Sequence, residues 1–278
     1  MIQYDKENMR VFQSSLYKTT SAVIELNEAI VMTDPNWLPQ EVDEIKAYVN
    51  QIRKNRALYI IYTHSDFDHI IGSGAFPDAI VIASQAFNEH KQKDEAINKV
   101  HAFDQRYYIQ RNYKPEYPQV DYVVSKDGQK LILGKSTLTF YLAPGHTNDG
   151  LFTVIEPAGI FLSGDYLSDV EFPFIFDSYL EYLKTMNKAK DIFSLHSISV
   201  HVPGHGHTTE DKTEMEDRLK FAQAYLDQII DMKENMEEIL KGRYIFFQGM
   251  KDIHVENQQL AFNEIKQFTL HSKETLYD

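Results

Sequence analysis

Four short segments of this chain each close an apolar, strand-like run with groups able to bind a metal. They are THSDFDH (63–69), APGHT (143–147), LSGD (162–165) and VPGHG (202–206). Active groups of layered α/β proteins sit at strand ends and in the loops just beyond them. In APGHT and VPGHG a Pro-Gly pair forces a sharp exit from the strand, so the imidazole projects off the sheet end and not into the core. Gly164 is expected to do the same for Asp165. Taken alone, THSDFDH, with His64, Asp66, Asp68 and His69, fits a solvated surface loop. Joined in order to the other three segments, it reads as part of a metal site.

The elements around these segments read as α/β layers. SAVIEL and AIVMTD are apolar or β-branched runs separated by Asn27-Glu28, a hairpin signal, and Pro35 stops the second run at Asp34. Residues 39 to 53 place Val42, Ile45 and Val49 at helical spacing, with Pro39 near the start. ALYIIYTH is a short buried strand, and AIVIAS (79–84) reads as a parallel neighbour. The alternation of strands and helices argues for an α/β layer architecture. Residues 85 to 118 are polar and expected to be helical. VDYVV, KLILG and STLTFYLAP are expected to form an antiparallel meander. LFTVIEP and GIFLSGD make a hairpin about Pro157-Ala158-Gly159, and 176 to 190 reads as helix. HSISVHVPGHG is strand then loop. One amphipathic helix is expected from 211 to 241, near Gly242, and a second around 256 to 267.

Composition narrows the chemistry. The chain has 278 residues, enough for one large α/β domain. With 28 basic and 41 acidic residues the formal net charge is −13, which disfavours a partner bound through its phosphate backbone. There is no cysteine, which excludes disulfides, iron–sulfur clusters and thiolate ligands. No run of about 18 apolar residues is present, so no membrane span is expected. The start, MIQYDKENMRVF, lacks the layout of a secretory signal. A cytoplasmic protein acting on a small molecule, with no nucleic acid or membrane partner and a possible homodimer, is the resulting expectation.

The order of the four segments resembles that of the metallo-β-lactamase superfamily, whose motif is His-x-His-x-Asp-His, then a His, an Asp and a last His. The resemblance runs from Asp34 to His205 and extends to the rear helices, which look like those of glyoxalase-II-type members. It implies a four-layer αββα sandwich, one domain over 1–278 with a helical segment from about 211. It also implies two divalent ions: zinc, iron or manganese. Carried over, one ion would be held by His64, His146 and the group at position 66, and the other by Asp68, His69 and His205. Asp165 would bridge them, and Asp34 would orient ligands from behind. The implied activity is hydrolysis of a small ester, thioester, lactone or phosphodiester by hydroxide held on the dinuclear centre. Asp68 and Asp165 would be the catalytic carboxylates.

The chain departs from the family at Asp66, where the motif has His. A carboxylate there still reaches a metal. It adds negative charge, softens the Lewis acidity and shifts preference from zinc toward manganese or iron. Flavodiiron members carry a carboxylate at this place, so a di-iron redox enzyme stays open beside the hydrolase, as does a non-catalytic binding protein with the same fold. Tyr166 and His207 are candidates for substrate contact or support, with packing and loop-lining roles the plainer readings. His196, His201, His90, His101, His254 and His271 read as structural or surface residues. QRYYIQRNYK (105–114) reads either as a substrate-covering lid offering Arg106, Arg111 and Lys114 to an anion, or as an amphipathic helix. Phe172, Phe174 and Phe176 read either as a pocket wall or as a buried strand. Leu219, Ala222, Leu226, Ile229 and Ile230 form a helical stripe that is core or a dimer face.

Overall fold

Two sheets pack face to face between two layers of helix in the computed structural model, which describes residues 1–6, 8–230 and 235–274, the last four without side chains. The first sheet takes β1 (Ile2–Lys6), β2 (Met9–Gln13), β3 (Thr20–Glu25), β4 (Ala29–Thr33), β5 (Ala57–Ile61), β6 (Ile80–Ser84) and β7 (Tyr122–Val124) in chain order. Its first four strands are antiparallel, and β4 to β7 are parallel. The second sheet has the order β12 (Val200–Val202), β11 (Ile160–Leu162), β10 (Leu151–Glu156), β9 (Ser136–Leu142) and β8 (Gln129–Leu133). Helices α1 (Pro39–Arg53), α2 (Phe67–Ile70), α3 (Gln85–Asn88) and α4 (Lys93–Tyr107) belong to the first half. Helices α5 (Tyr179–Leu195), α6 (Lys212–Ile229), α7 (Met236–Arg243) and α8 (Phe247–Glu274) belong to the second.

The period-two geometry of strands explains the four layers, because successive side chains point to opposite faces. In β4, Val31 enters the core between the sheets, while Ile30 and Met32 face outward onto Val42, Ile45 and Val49 of α1. In β10, Leu151 and Ile155 join the inter-sheet core, and Phe152 and Val154 pack on the α5–α6 side. Both faces of each central strand are therefore apolar, as sheets covered on both sides require. Each of these fully buried aliphatic side chains contributes roughly 1.5–3 kcal/mol. Local signals fix the helix starts. The Glu41 carboxylate accepts the Leu38 N–H at 3.0 Å beside Pro39. Ser178 caps α5 through Glu181 N–H, and Asp211 caps α6 through Thr213 N–H.

Strand direction then brings distant residues to one edge. The parallel register of β4 on β5 places Thr33 opposite Ile61, so Asp34 and the segment after Ile61 leave the sheet together. In the second sheet β11 and β12 are parallel, with Leu162 opposite Val202, and β9 ends opposite the start of β10. The two sheets are stitched at this edge by Leu151 N–H donating to Thr63 O at 2.8 Å and Thr20 N–H donating to Gly204 O at 2.7 Å. All four metal-capable segments consequently open on the same rim.

Several expectations are corrected here. VDYVV does not join the meander: β7 pairs in parallel with β6, Ile82 facing Tyr122, because its residues complete the first sheet after the long excursion through α3 and α4. The stretch 85–118 is helical only to Tyr107; Tyr108 takes a left-handed conformation (φ 55°) that ends α4. EFPFIF is not a strand, since Pro173 within it cannot donate to a ladder. The rear segment 211–241 is described as α6 and α7, with 231–234 outside the described residues. The last helix begins at Phe247 and not at 256. Leu219, Ala222, Leu226 and Ile229 are core, whereas Ile230 lies past the end of α6 and is exposed. The His271 side chain lies outside the described residues. No helix among them is long and apolar enough to cross a membrane.

Candidate metal centre

Each of the seven residues implied as ligands reaches one cluster at the rim. His64 and His146 put Nε2 3.7 and 3.5 Å from Asp66 Oδ2. The same nitrogens lie 3.4 and 3.3 Å from Asp165 Oδ2. On the far side, His69 and His205 put Nε2 3.5 and 3.4 Å from Asp68 Oδ2. They also lie 3.1 Å from Asp165 Oδ1 and 3.3 Å from Asp165 Oδ2, respectively. His64, Asp66 and His146 thus form one triad and Asp68, His69 and His205 another, each with its donor atoms within 4.8 Å of one another. Asp165 stands between the two.

The four imidazoles share one orientation, imposed from behind. His64 Nδ1 meets Thr63 Oγ1 at 3.0 Å, and that hydroxyl donates to Asp34 Oδ2 at 2.6 Å. Asp34 Oδ2 also takes His69 Nδ1 at 3.0 Å. His146 Nδ1 donates to Phe174 O and His205 Nδ1 to Tyr17 O, both at 2.9 Å. With Nδ1 carrying the proton, every Nε2 turns a lone pair inward, the tautomer that a metal ligand needs.

Backbone shape supports this. At Gly145 (φ 127°) a Cβ would lie 2.4 Å from the Tyr182 backbone. At Gly204 it would come within 2.2 Å of Asp165 Oδ1. These glycines let the two His loops press against α5 and against the central carboxylate.

The donors fit a cation. His64 Nε2, His146 Nε2 and Asp165 Oδ1 are buried and make no hydrogen bond, a costly arrangement unless a ligand satisfies them. His69 Nε2 and His205 Nε2 face each other at 3.3 Å, where two lone pairs require positive charge between them. The titration behaviour agrees. Burial alone would lower His146, but the carboxylates of Asp165 and Asp66 outweigh it and lift it to about 10. His69 and His205 are likewise raised well above the usual value by Asp165 and its neighbours, against burial. Burial works against the charged form of Asp66 and Asp165, yet the surrounding histidines hold both carboxylates below their ordinary range. The cluster holds positive charge strongly.

Of the supporting candidates, Asp34 is buried and engages Thr63 and His69. Tyr166 does not face the cleft. Its hydroxyl donates to Ala143 O and accepts His146 N–H, both at 2.9 Å, so it braces the His146 loop because its ring is buried in the core. His207 is drawn out of the cluster by Asp169, 2.7 Å from its Nδ1. His201 is buried in β12 against Ser163, and His196 meets Tyr141. In the 105–114 run, Arg111 is tied to Asp104 and Trp37 O, and Lys114 pairs with Glu116, so neither is offered to an anion.

The cluster opens into a cleft of about 450 Å³, walled by Tyr17, Trp37, Phe67, Phe174, Phe176 and Ile253, with Lys99 and Glu171 also on its lining. Phe172, by contrast, is core. Glu171, Lys99 and the carbonyls that hold the imidazoles escaped sequence reading. Glu171 stands in the aromatic run EFPFIF, and no spacing marks it. Its Oε1 is 3.7 Å from His205 Nδ1, and burial holds its carboxyl up at about 7.

Solved structures with the same fold include a B3 metallo-beta-lactamase with an active-site glutamic acid, 18% identical, TM-score 0.56, covering 82% of this chain and 89% of that one. A double mutant of the sec-alkyl sulfatase PisA1 is 13% identical with a TM-score of 0.65; 82% of this chain matches but only 42% of that longer one. ST1585 from Sulfolobus tokodaii, an archaeal metallo-beta-lactamase superfamily protein, is 17% identical, TM-score 0.57, over 83% of this chain and 89% of that one. Among curated proteins no sequence relative is found. The family model of the metallo-beta-lactamase superfamily matches residues 16–216, which takes in all four strand-tip segments. With that match and the sandwich already traced, the chain belongs to the metallo-beta-lactamase superfamily.

Proposed function

We propose that this chain is a metal-dependent hydrolase of a small ester, thioester, lactone or phosphodiester. It would hold one divalent ion with His64, Asp66 and His146, and a second with Asp68, His69 and His205. Asp165 would be shared between them. The observation that carries the reading is the pair of triads meeting at Asp165, whose Oδ1 is buried without a hydrogen bond beside the inward Nε2 atoms. When bound, such a pair supplies a nucleophilic water at neutral pH and polarises the scissile oxygen, so no Ser or Cys nucleophile is needed.

The chain's own groups do the rest. Asp34, Thr63, Phe174 O and Tyr17 O fix the imidazoles in one tautomer before substrate arrives. The Asp68 side chain is partly exposed to the cleft and its Oδ2 is placed to accept a proton there. The aromatic wall offers apolar surface to the body of a substrate beside the charged floor. Three carboxylates among seven donors favour manganese or iron over zinc. A neighbouring fold described as having an active-site glutamic acid supports an added carboxylate as compatible with catalysis. The sec-alkyl sulfatase neighbour adds sulfate esters to the substrates to be tried. The net charge of −13 supports a small-molecule substrate over a nucleic acid, with the cytoplasm as the proposed place of action.

The test is a panel of generic esters, a thioester, a lactone, a sulfate ester and bis(p-nitrophenyl) phosphate, run with zinc-, manganese- and iron-loaded protein. Turnover of at least one class, lost in Asp165→Ala, is expected. Full metal loading with no turnover of any class would count against hydrolysis. Oxygen consumption by the ferrous form would favour the di-iron redox reading, which the Asp66 carboxylate motivates.

A further inference from the structure

The cleft wall is apolar and its floor acidic, but one group fits neither description. Lys99 is the one Lys or Arg among the described residues lining it. It is exposed and makes no hydrogen bond or ion pair among the described residues, unlike Lys114, which is held by Glu116, and Lys188, held by Asp127. Its place on α4 is set by the helical repeat: Ala96, Lys99 and Phe103 share a face. The Phe103 ring packs, tilted, at 4.7 Å from Trp37 and at 6.2 Å from Phe67, the residue between Asp66 and Asp68. That face therefore abuts the metal-binding turn. Across the cleft, Phe174 and Phe176 stand 6.0 Å apart, and Phe176 lies 5.2 Å from the His146 ring while staying half exposed.

We infer that Lys99 anchors an anionic group at the far end of the substrate. The substrate class is then an ester-type molecule with an apolar, preferably aromatic, body and a carboxylate, sulfate or phosphate remote from the bond that is cut. The physical reason is a division of labour: bound cations would match the floor carboxylates, whereas Lys99 is left with a free charge beside aromatic surface. A ligand that satisfies both must be amphiphilic and anionic. This rests on the hydrolase reading for the word substrate, but not for the binding.

Trp37 is the chain's sole tryptophan and lies buried behind the cleft wall, its ring packed against the cleft residues Tyr17 and Phe67, so a change in its fluorescence reports occupancy without turnover. Metal-loaded protein is titrated with 4-nitrophenylacetate anion and with the neutral 4-nitrophenylacetamide. Wild type should bind the anion more tightly. Lys99→Ala should weaken the anion roughly three- to tenfold, Lys99→Glu should weaken it further, and Lys99→Arg should restore it. The amide should be unmoved throughout. Equal binding of anion and amide by wild type, or an anion affinity indifferent to Lys99, overturns the assignment; the latter would mean that the carboxylate sits on the metals. A chain that hydrolyses nothing could still pass this titration, so the two readings fail separately.

Discussion

Asp34 Oδ2 lies 3.0 Å from His69 Nδ1, behind the ring and away from the cleft. The same carboxylate takes Thr63 N–H at 2.9 Å on its other oxygen, so it cannot rotate freely. One residue at the end of β4 therefore sets the tautomer of His69 and, through Thr63 Oγ1, that of His64. Asp34→Asn is close in shape but can offer an N–H to His69 Nδ1, which turns the proton-bearing Nε2 toward the cluster. Metal affinity measured by calorimetry should fall roughly 10- to 100-fold, with little change in the far-ultraviolet spectrum. Unchanged affinity would remove Asp34 from the orienting role.

Asp66 is the one departure from the family pattern, and its effect is separable. Asp66→His replaces a hard oxygen donor by imidazole and removes one negative charge from the first triad. The metal profile of protein purified from a medium containing zinc, manganese and iron should shift toward zinc. If element analysis finds the same profile in both proteins, Asp66 does not ligate.

Gly204 leaves room for the central carboxylate. Gly204→Ala would place a methyl 2.2 Å from Asp165 Oδ1, with the Gly164 carbonyl carbon 2.8 Å and the Asp165 nitrogen 3.1 Å away. The carboxylate must move out of the position it shares between the triads. The variant should hold at most one ion per chain, and adding metal should raise its melting temperature less than it raises that of wild type. Retention of both ions with an unaltered melting shift would show that Asp165 tolerates displacement.

His201 gives a pH dependence unrelated to the cluster. Burial and the nearby Arg218 charge hold its imidazole well below 6.5, so it is neutral in the folded chain. Its Nε2 lies 2.8 Å from Ser163 Oγ, which itself donates to Tyr166 O. Above pH 6.5 His201 is neutral folded or unfolded, and its full contribution is present. As pH falls below that value the unfolded chain takes up the proton first, and stability is lost at up to about 1.4 kcal/mol per pH unit. His201→Gln should therefore show a shallower decline of melting temperature between pH 7 and 5. Parallel profiles would mean that His201 protonates without cost.

Much of the site was legible because its chemistry is carried by strand ends. His64, His146, Asp165 and His205 each follow an apolar run, and parallel pairing of β4 with β5 and of β11 with β12 brings those ends to one rim. Pairing across the sheets was not legible. VDYVV has the pattern of a meander strand, yet β7 closes the first sheet, since period-two alternation says nothing about which neighbour a strand takes. Glu171 and Lys99 were hidden for a different reason. Each reaches the cleft from a loop or helix face whose position depends on tertiary packing and not on spacing. Tyr166 took the plainer of its two readings: it follows Asp165 directly, but its ring packs in the core and its hydroxyl braces the His146 loop.

Element analysis of the purified chain, before and after dialysis against a divalent metal, bears most directly on the caged pair of ions. Two ions per wild-type chain are expected, with no more than one in Asp165→Ala or His205→Ala. A wild-type chain that takes up no metal under those conditions, or variants that load as fully as the parent, would contradict the centre on which the hydrolase reading stands.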